Sequence, residues 1–259
     1  MKKARIGIIG GTGLSPPSNE GTKIRVGTPY GPSPTITISN FGGKDVAYLP
    51  RHGEKHTCPP HKINYRANVW ALHALGVERI VATNAVGAIN IKYTLGDLAV
   101  PSDFLDFTKN RSQTFYDEAP VTHIDVSEPY CTELRKILLK AAENRVEKVW
   151  PDVVYLCTEG PRYETPAEIR MFRGLGCDVV GMTGMPELVL ARELEMCYAS
   201  LCFITNMAAG LQKHLSAELI SEGSRKLKHT LQKVLEESVV HIPWKRSCRC
   251  SRTLEGTRS

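Results

Sequence analysis

Six short stretches of the chain carry groups suited to gripping an anion and a flat, polar-edged molecule. Thr12 stands among glycines in "GGTG", Arg51 and His52 lie together in "PRHG", and Ala85 sits in "TNAVG". Tyr163 and Glu164 close "EGPRYE", Met182 and Thr183 fall in "GMTG", and Asn206 follows Thr205. Arginine presents a planar fork of donors that matches phosphate. The two threonines add hydroxyls, and glycine-flanked Ala85 adds a backbone N–H. Together these groups can hold an oxyanion without a metal. Tyr163 offers a face for stacking, and Glu164 and Asn206 offer hydrogen bonds to the edge of a base. Taken singly, each has an ordinary role open to it: a surface ion pair for Arg51, helix caps for the threonines, a core position for Tyr163.

The glycine turn near the start fits neither common phosphate loop. Gly11 and Gly13 begin a G-x-G-x-x-G pattern, but Pro16 stands where the third glycine belongs, which argues against a nicotinamide-dependent oxidoreductase. No lysine follows until Lys23, so the nucleoside-triphosphate loop is excluded as well. His52 and His56 are four residues apart, but in a loop rich in glycine and proline and without acidic or cysteine partners at ligand spacing. No metal is therefore expected. No G-x-S-x-G nucleophile elbow is present.

What unites the six stretches is position. Each accompanies the end of an apolar, strand-like run, at 6–9, 46–49, 79–83, 153–157, 178–180 and 202–205, with a further run at 35–39. Several runs are continuous and β-branched, as in a sheet buried on both faces. Helical periodicity appears at 63–75, where Gly76 supplies a C-terminal cap, and 186–196 is expected to be helical. A longer helix is expected at 218–239, with Gly223 breaking its start and Pro243 ending it. Strands alternating with helices predict an α/β fold, in which ligands sit beyond the carboxyl ends of the strands. Nothing divides the chain, so 1–259 is read as one domain, with 244–259 a basic, cysteine-containing, solvated tail.

Composition narrows the class. The 259 residues are 42% hydrophobic, enough for a full core, and no stretch approaches the ~20 apolar residues of a membrane span. The charge of +6 is modest and much of it lies in the tail, without the aromatic interleaving of a nucleic-acid face. A cytoplasmic protein with no nucleic-acid or membrane partner is expected. The eight cysteines form no paired C-x-x-C knuckles, and Cys58, Cys157 and Cys177 are expected as packed thiols.

The segments "GIIGGTGL", "RHGEKHT", "NYRANVWAL", "TNAVGAI", "SDFLDFT", "EGPRYET", "MFRGLGCDVVGMT" and "MPELVLARE" run in this order. Over roughly residues 4–205 the chain resembles the trimeric nucleoside phosphorylases, specifically their methylthioadenosine phosphorylase branch. The resemblance implies a single α/β domain with a central, partly barrel-like mixed sheet flanked by helices. It also implies a reaction: inorganic phosphate attacks the anomeric carbon of a purine nucleoside, releasing the purine and a sugar 1-phosphate. Phosphate is then a co-substrate and no cofactor is needed. By the family pattern, Thr12, Arg51, His52, the backbone of Ala85, and Thr183 bind phosphate, and Met182 lines the ribose. Tyr163 takes the base-stacking place usually held by phenylalanine. His123, in "VTHIDVSEP", matches the residue that a neighbouring subunit lends to the 5′ end, so a homotrimer or dimer of trimers is implied. An S-methyl-5′-thioadenosine phosphorylase with a 6-aminopurine preference is one alternative reading; a purine-binding module without catalysis is another, and the complete phosphate set argues against the latter.

One departure bears on specificity. Methylthioadenosine phosphorylases carry serine and aspartate where this chain has Glu164 and Asn206, the pair seen in the 6-oxopurine phosphorylases. An ionised Glu164 accepts N–H from N1 of hypoxanthine or guanine, while Asn206 donates to O6 or N7. Adenine presents N1 as an acceptor, and such a mispairing costs ~1–3 kcal/mol. A 6-oxopurine preference follows, with Glu164, Asn206 and His52 as the catalytic candidates. At the 5′ end, Ala217, Leu219 and Ile220 could pack on a methylthio group and His214 could meet a hydroxyl, so methylthioinosine, inosine and guanosine stay open. A pairing of Cys131 with Cys197, or of Cys248 with Cys250, also stays open beside simple buried thiols.

Overall fold

In the computed structural model, residues 3–12, 14, 16, 20–54 and 57–257 are described. The apolar runs form strands: β1 (Ile6–Gly10), β2 (Thr22–Ile24), β3 (Gly27–Thr28), β4 (Gly31–Pro32), β5 (Ile36–Phe41) and β6 (Lys44–Pro50). Then follow β7 (Arg79–Ala88), β8 (Leu98–Phe107), β9 (Val149–Thr158), β10 (Val179–Gly181) and β11 (Cys197–Met207). Nine of them make one sheet in the order β10-β9-β8-β11-β7-β1-β6-β5-β2, and β10 also pairs with β7. That extra pairing closes β7, β11, β8, β9 and β10 into a ring. Closure pairs the otherwise open edge of β10, which would template aggregation. The sheet mixes parallel pairs (β1 with β6 and β7, β7 with β11, β8 with β9, β9 with β10) with antiparallel ones (β10 with β7, β11 with β8, β5 with β6 and β2). This is the mixed, partly barrel-like sheet that the resemblance implied.

The helices are α1 (Tyr65–Ala74), α2 (Thr132–Glu143), α3 (Pro166–Gly174), α4 (Glu187–Glu193) and α5 (Ala217–His241). Asn64 caps α1 by accepting from the Ala67 N–H, as an N-cap side chain should. α5 runs unbroken through Gly223, against expectation. A glycine costs a helix about 1 kcal/mol, which burial of Leu231, Val234, Leu235 and Val239 offsets. The helix expected over 186–196 stops sooner, because the chain turns at once into buried β11. Periodicity did not reveal β8, whose second half is partly exposed, nor α2 and α3. α3 nonetheless carries a readable signal, a Thr165/Glu168 capping box.

The 244–257 segment is not a solvated end. Cys250 and Thr253 are buried, Arg246 donates to the Glu195 carbonyl, and Ser247 donates to Glu133. Among the described residues, no helix is long and apolar enough to cross a membrane.

Candidate active site

A cavity of about 320 Å³ opens where the ends of β1, β6, β9 and β10 meet the inner reaches of β7 and β11. Thr12, Arg51, His52, Ala85 and Thr183, the residues expected at phosphate, line it. Tyr163, Glu164, Met182 and Asn206 line the same cavity. His123 does not: it is exposed, and its backbone N–H donates to the Thr257 carbonyl. His56 and Gly13 lie outside the described residues.

Strand pairing places Arg51. Its N–H donates to the Gly10 carbonyl, extending the β1–β6 ladder past the strand end. The guanidinium is neither a surface ion pair nor an open fork. Its Nε and Nη2 donate to the two oxygens of Glu187 at 2.8 Å each, and Nη1 donates to the Thr83 carbonyl at 2.8 Å. Both side chains of the pair are fully buried. Burial alone would push the arginine pKa down, but the charge and hydrogen bonds of Glu187 outweigh it and the pKa is raised. Three of the five guanidinium N–H groups are thus committed, leaving one on each terminal nitrogen. Glu187, which Tyr198 also holds through a 2.7 Å hydrogen bond, escaped the sequence reading. It lies in a helical pattern and looks like a surface glutamate.

Thr183 is oriented through a relay. The Ser200 hydroxyl donates to Asn84, and the Asn84 amide donates to Thr183 Oγ1 at 2.8 Å. With its oxygen accepting from Asn84, the Thr183 hydroxyl keeps its own proton to give to an anion. His52 is fixed by a 2.8 Å hydrogen bond from Nδ1 to the Cys58 carbonyl, which can only accept, so Nδ1 carries the proton. Gly11 is required by closeness: a Cβ there would stand 2.5 Å from the Thr83 carbonyl oxygen and 2.9 Å from Arg51 Nη1.

Ala85 and Asn206 lie within strands rather than after them, because β7 and β11 run on to Ala88 and Met207. The pairing of β11 with β7 slips by one residue between Ile204 and Asn206. Such a bulge re-aims the side chains beside it, and here both Thr205 and Asn206 reach the cavity. The Asn206 amide oxygen accepts from the Thr205 hydroxyl at 2.8 Å, and its nitrogen donates to the Met207 carbonyl at 2.9 Å. One amide N–H remains to donate. Gly87 makes room for this amide, since a Cβ at 87 would lie 2.8 Å from Asn206 Nδ2. Glu164 accepts from the Thr158 hydroxyl at 2.7 Å; burial raises its pKa, and that hydrogen bond counters part of the rise. Of the 5′ candidates, Ile220 lines the cavity, whereas Leu219 lines a separate cleft and His214 is exposed. Leu215, Pro59 and Pro60 also line the cavity and were not foreseen.

Fold and cavity together define a nucleoside phosphorylase. The chain matches the Phosphorylase superfamily over residues 5–240 and belongs to that family. It is 53% identical to a Methanopyrus kandleri protein named "Probable S-methyl-5'-thioinosine phosphorylase", over 97% of this chain and 98% of that protein. It is 48% identical to the Pyrococcus furiosus "6-oxopurine nucleoside phosphorylase", over 97% and 98% of the two chains. A methylthioadenosine phosphorylase from Schistosoma mansoni, solved in complex with adenine, superposes with a TM-score of 0.92 at 32% identity, covering 99% of each chain.

Proposed function

We propose that the chain catalyses phosphorolysis of 6-oxopurine nucleosides, with methylthioinosine favoured over inosine and guanosine. The observation that carries the base preference is Glu164 and Asn206 facing one cavity, with Asn206 retaining an N–H to donate. As the N-glycosidic bond breaks, positive charge grows on the sugar and negative charge on the purine. Phosphate held by Thr12, Arg51, His52, Thr183 and the Ala85 backbone supports the first, and a donor at purine N7 supports the second. Because Glu187 already neutralises Arg51, phosphate meets a near-neutral pair plus hydroxyls and amide donors rather than a bare cation. Leu215, Ile220, Pro59 and Pro60 give the cavity apolar lining, which suits a methylthio group better than a hydroxyl.

Phosphate is the co-substrate and no cofactor takes part. The working unit is a homotrimer or dimer of trimers in which His123 completes a neighbour's site; its exposure outside its own chain's cavity supports this. The reaction is placed in the cytoplasm. The test is base release from methylthioinosine, inosine, guanosine, methylthioadenosine and adenosine, with and without phosphate. Release from none of them overturns the activity, and preference for the adenine nucleosides overturns the base reading.

A further inference from the structure

We propose that Cys131, Cys197, Cys248 and Cys250 form a tetrathiolate site for a thiophilic divalent cation, Zn2+. Three segments remote in sequence deliver these residues. Cys131 precedes α2 as its N-cap, Cys197 begins β11, and Cys248 and Cys250 flank Arg249 at a 3-10 turn, Arg249–Arg252. Their four sulfurs all lie within 4.8 Å of one another, and Cys197 and Cys248 are 3.3 Å apart. Zn–S bonds of ~2.3 Å place the sulfurs of a tetrahedron ~3.8 Å apart, so the cluster closes on an ion with shifts of about 1 Å or less. Three of the four are buried and Cys248 is half-buried, as befits a closed structural site. The sequence expectation of no metal rested on motif spacing, which does not register sulfurs assembled from three segments.

Binding releases the thiol protons to solvent and leaves a centre of net charge −2. Buried Arg192 supplies a cation nearby, and its Nε is a buried donor without a hydrogen-bond partner among the described residues. Backbone hydrogen bonds hold the site's frame: the Cys131 N–H donates to the Tyr198 carbonyl and the Cys197 N–H to the Glu78 carbonyl. The ion would pin 244–257 to α2 and β11. Because the Thr257 carbonyl accepts from the His123 N–H, the same pin would steady the His123 segment.

The test uses the full chain, reduced, stripped of metal and then dialysed against Zn2+ or Co2+. The expected result is about one ion per chain and, with Co2+, the intense visible and near-ultraviolet bands of a tetrahedral thiolate site. A thousandfold excess of Zn2+ over Kd should raise Tm by roughly 8–16 °C. Cys248→Ser and Cys250→Ser should lose the ion and the spectrum, while Cys177→Ser, outside the cluster, should keep both. Fewer than ~0.1 ion per reduced chain, an octahedral Co2+ spectrum, or equal binding by Cys177→Ser and Cys248→Ser overturns the proposal. So does mass spectrometry of freshly isolated protein showing all four cysteines in two disulfides that zinc does not prevent. The wild-type stoichiometry and spectrum decide the matter even if a variant fails to fold.

Discussion

Asn206→Asp tests the base-reading argument directly. The amide of Asn206 has two N–H groups; one donates to the Met207 carbonyl at 2.9 Å and, in the proposed reading, the other serves the purine. The Met207 carbonyl, which can only accept, fixes which end of the amide is nitrogen, and the Thr205 hydroxyl, delivered by the bulge in β11, donates to the oxygen end. An ionised aspartate keeps the Thr205 hydrogen bond but sets an oxygen against the Met207 carbonyl, acceptor to acceptor. Taking up a proton restores one donor, so the side chain can serve Met207 or a 6-oxopurine but not both. One buried bond is lost either way, at ~1–3 kcal/mol, which is roughly a 5–150-fold fall in kcat/KM for inosine and methylthioinosine. An adenine nucleoside gains an acceptor for its 6-amino group, so the 6-amino to 6-oxo ratio should rise by about tenfold or more. Glu164 still opposes adenine N1, so the switch stays incomplete until Glu164→Ser is added. Initial rates of base release at saturating phosphate measure both ratios. A ratio within about twofold of wild type would show that Asn206 does not read the base.

Three further outcomes follow from the same geometry. Burial raises the pKa of Glu164, so the ionised form that accepts N1–H is lost as pH falls through a value above the ordinary carboxylate range. The acid limb of kcat/KM should sit there and vanish in Glu164→Gln. A raised folded-state pKa also means a stability contribution present at low pH and lost as pH rises through it. Hence Glu164→Gln should be at least as resistant to urea at neutral pH as wild type, and a clear loss would refute the assignment. Glu187→Gln leaves Arg51 buried without its counter-charge, costing about 3–5 kcal/mol, or roughly 6–20 °C in Tm. Added phosphate should recover more of that loss than it adds to wild type, and an unchanged Tm would mean the pair carries no weight. Gly87→Ala pushes a methyl to 2.8 Å from Asn206 Nδ2, so kcat/KM should fall ~10–100-fold with the secondary structure intact by circular dichroism. Near-normal kcat/KM would show that the amide has room to spare.

Local chemistry made much of this protein legible in its sequence. Continuous β-branched runs announced most of the buried strands, because a strand covered on both faces must be apolar throughout. Glycines and polar residues beside those runs marked the cavity, and Thr12, Arg51, His52, Ala85, Tyr163, Glu164, Met182, Thr183 and Asn206 all line it. Tertiary structure decided what pairing and burial alone determine. Sheet closure through β10 and β7 depends on a contact between strands some ninety residues apart. The Thr205 bulge exists only as a mismatch between two strands, so β11 read alone does not show how Asn206 is aimed. Glu187 reads as one more helical glutamate until folding removes it from water and sets Arg51 against it. Likewise 244–257 looks solvated until Cys248 and Cys250 meet Cys131 and Cys197. Residue types and spacing express local preference, whereas the partner of a buried charge, amide or sulfur comes from another part of the chain.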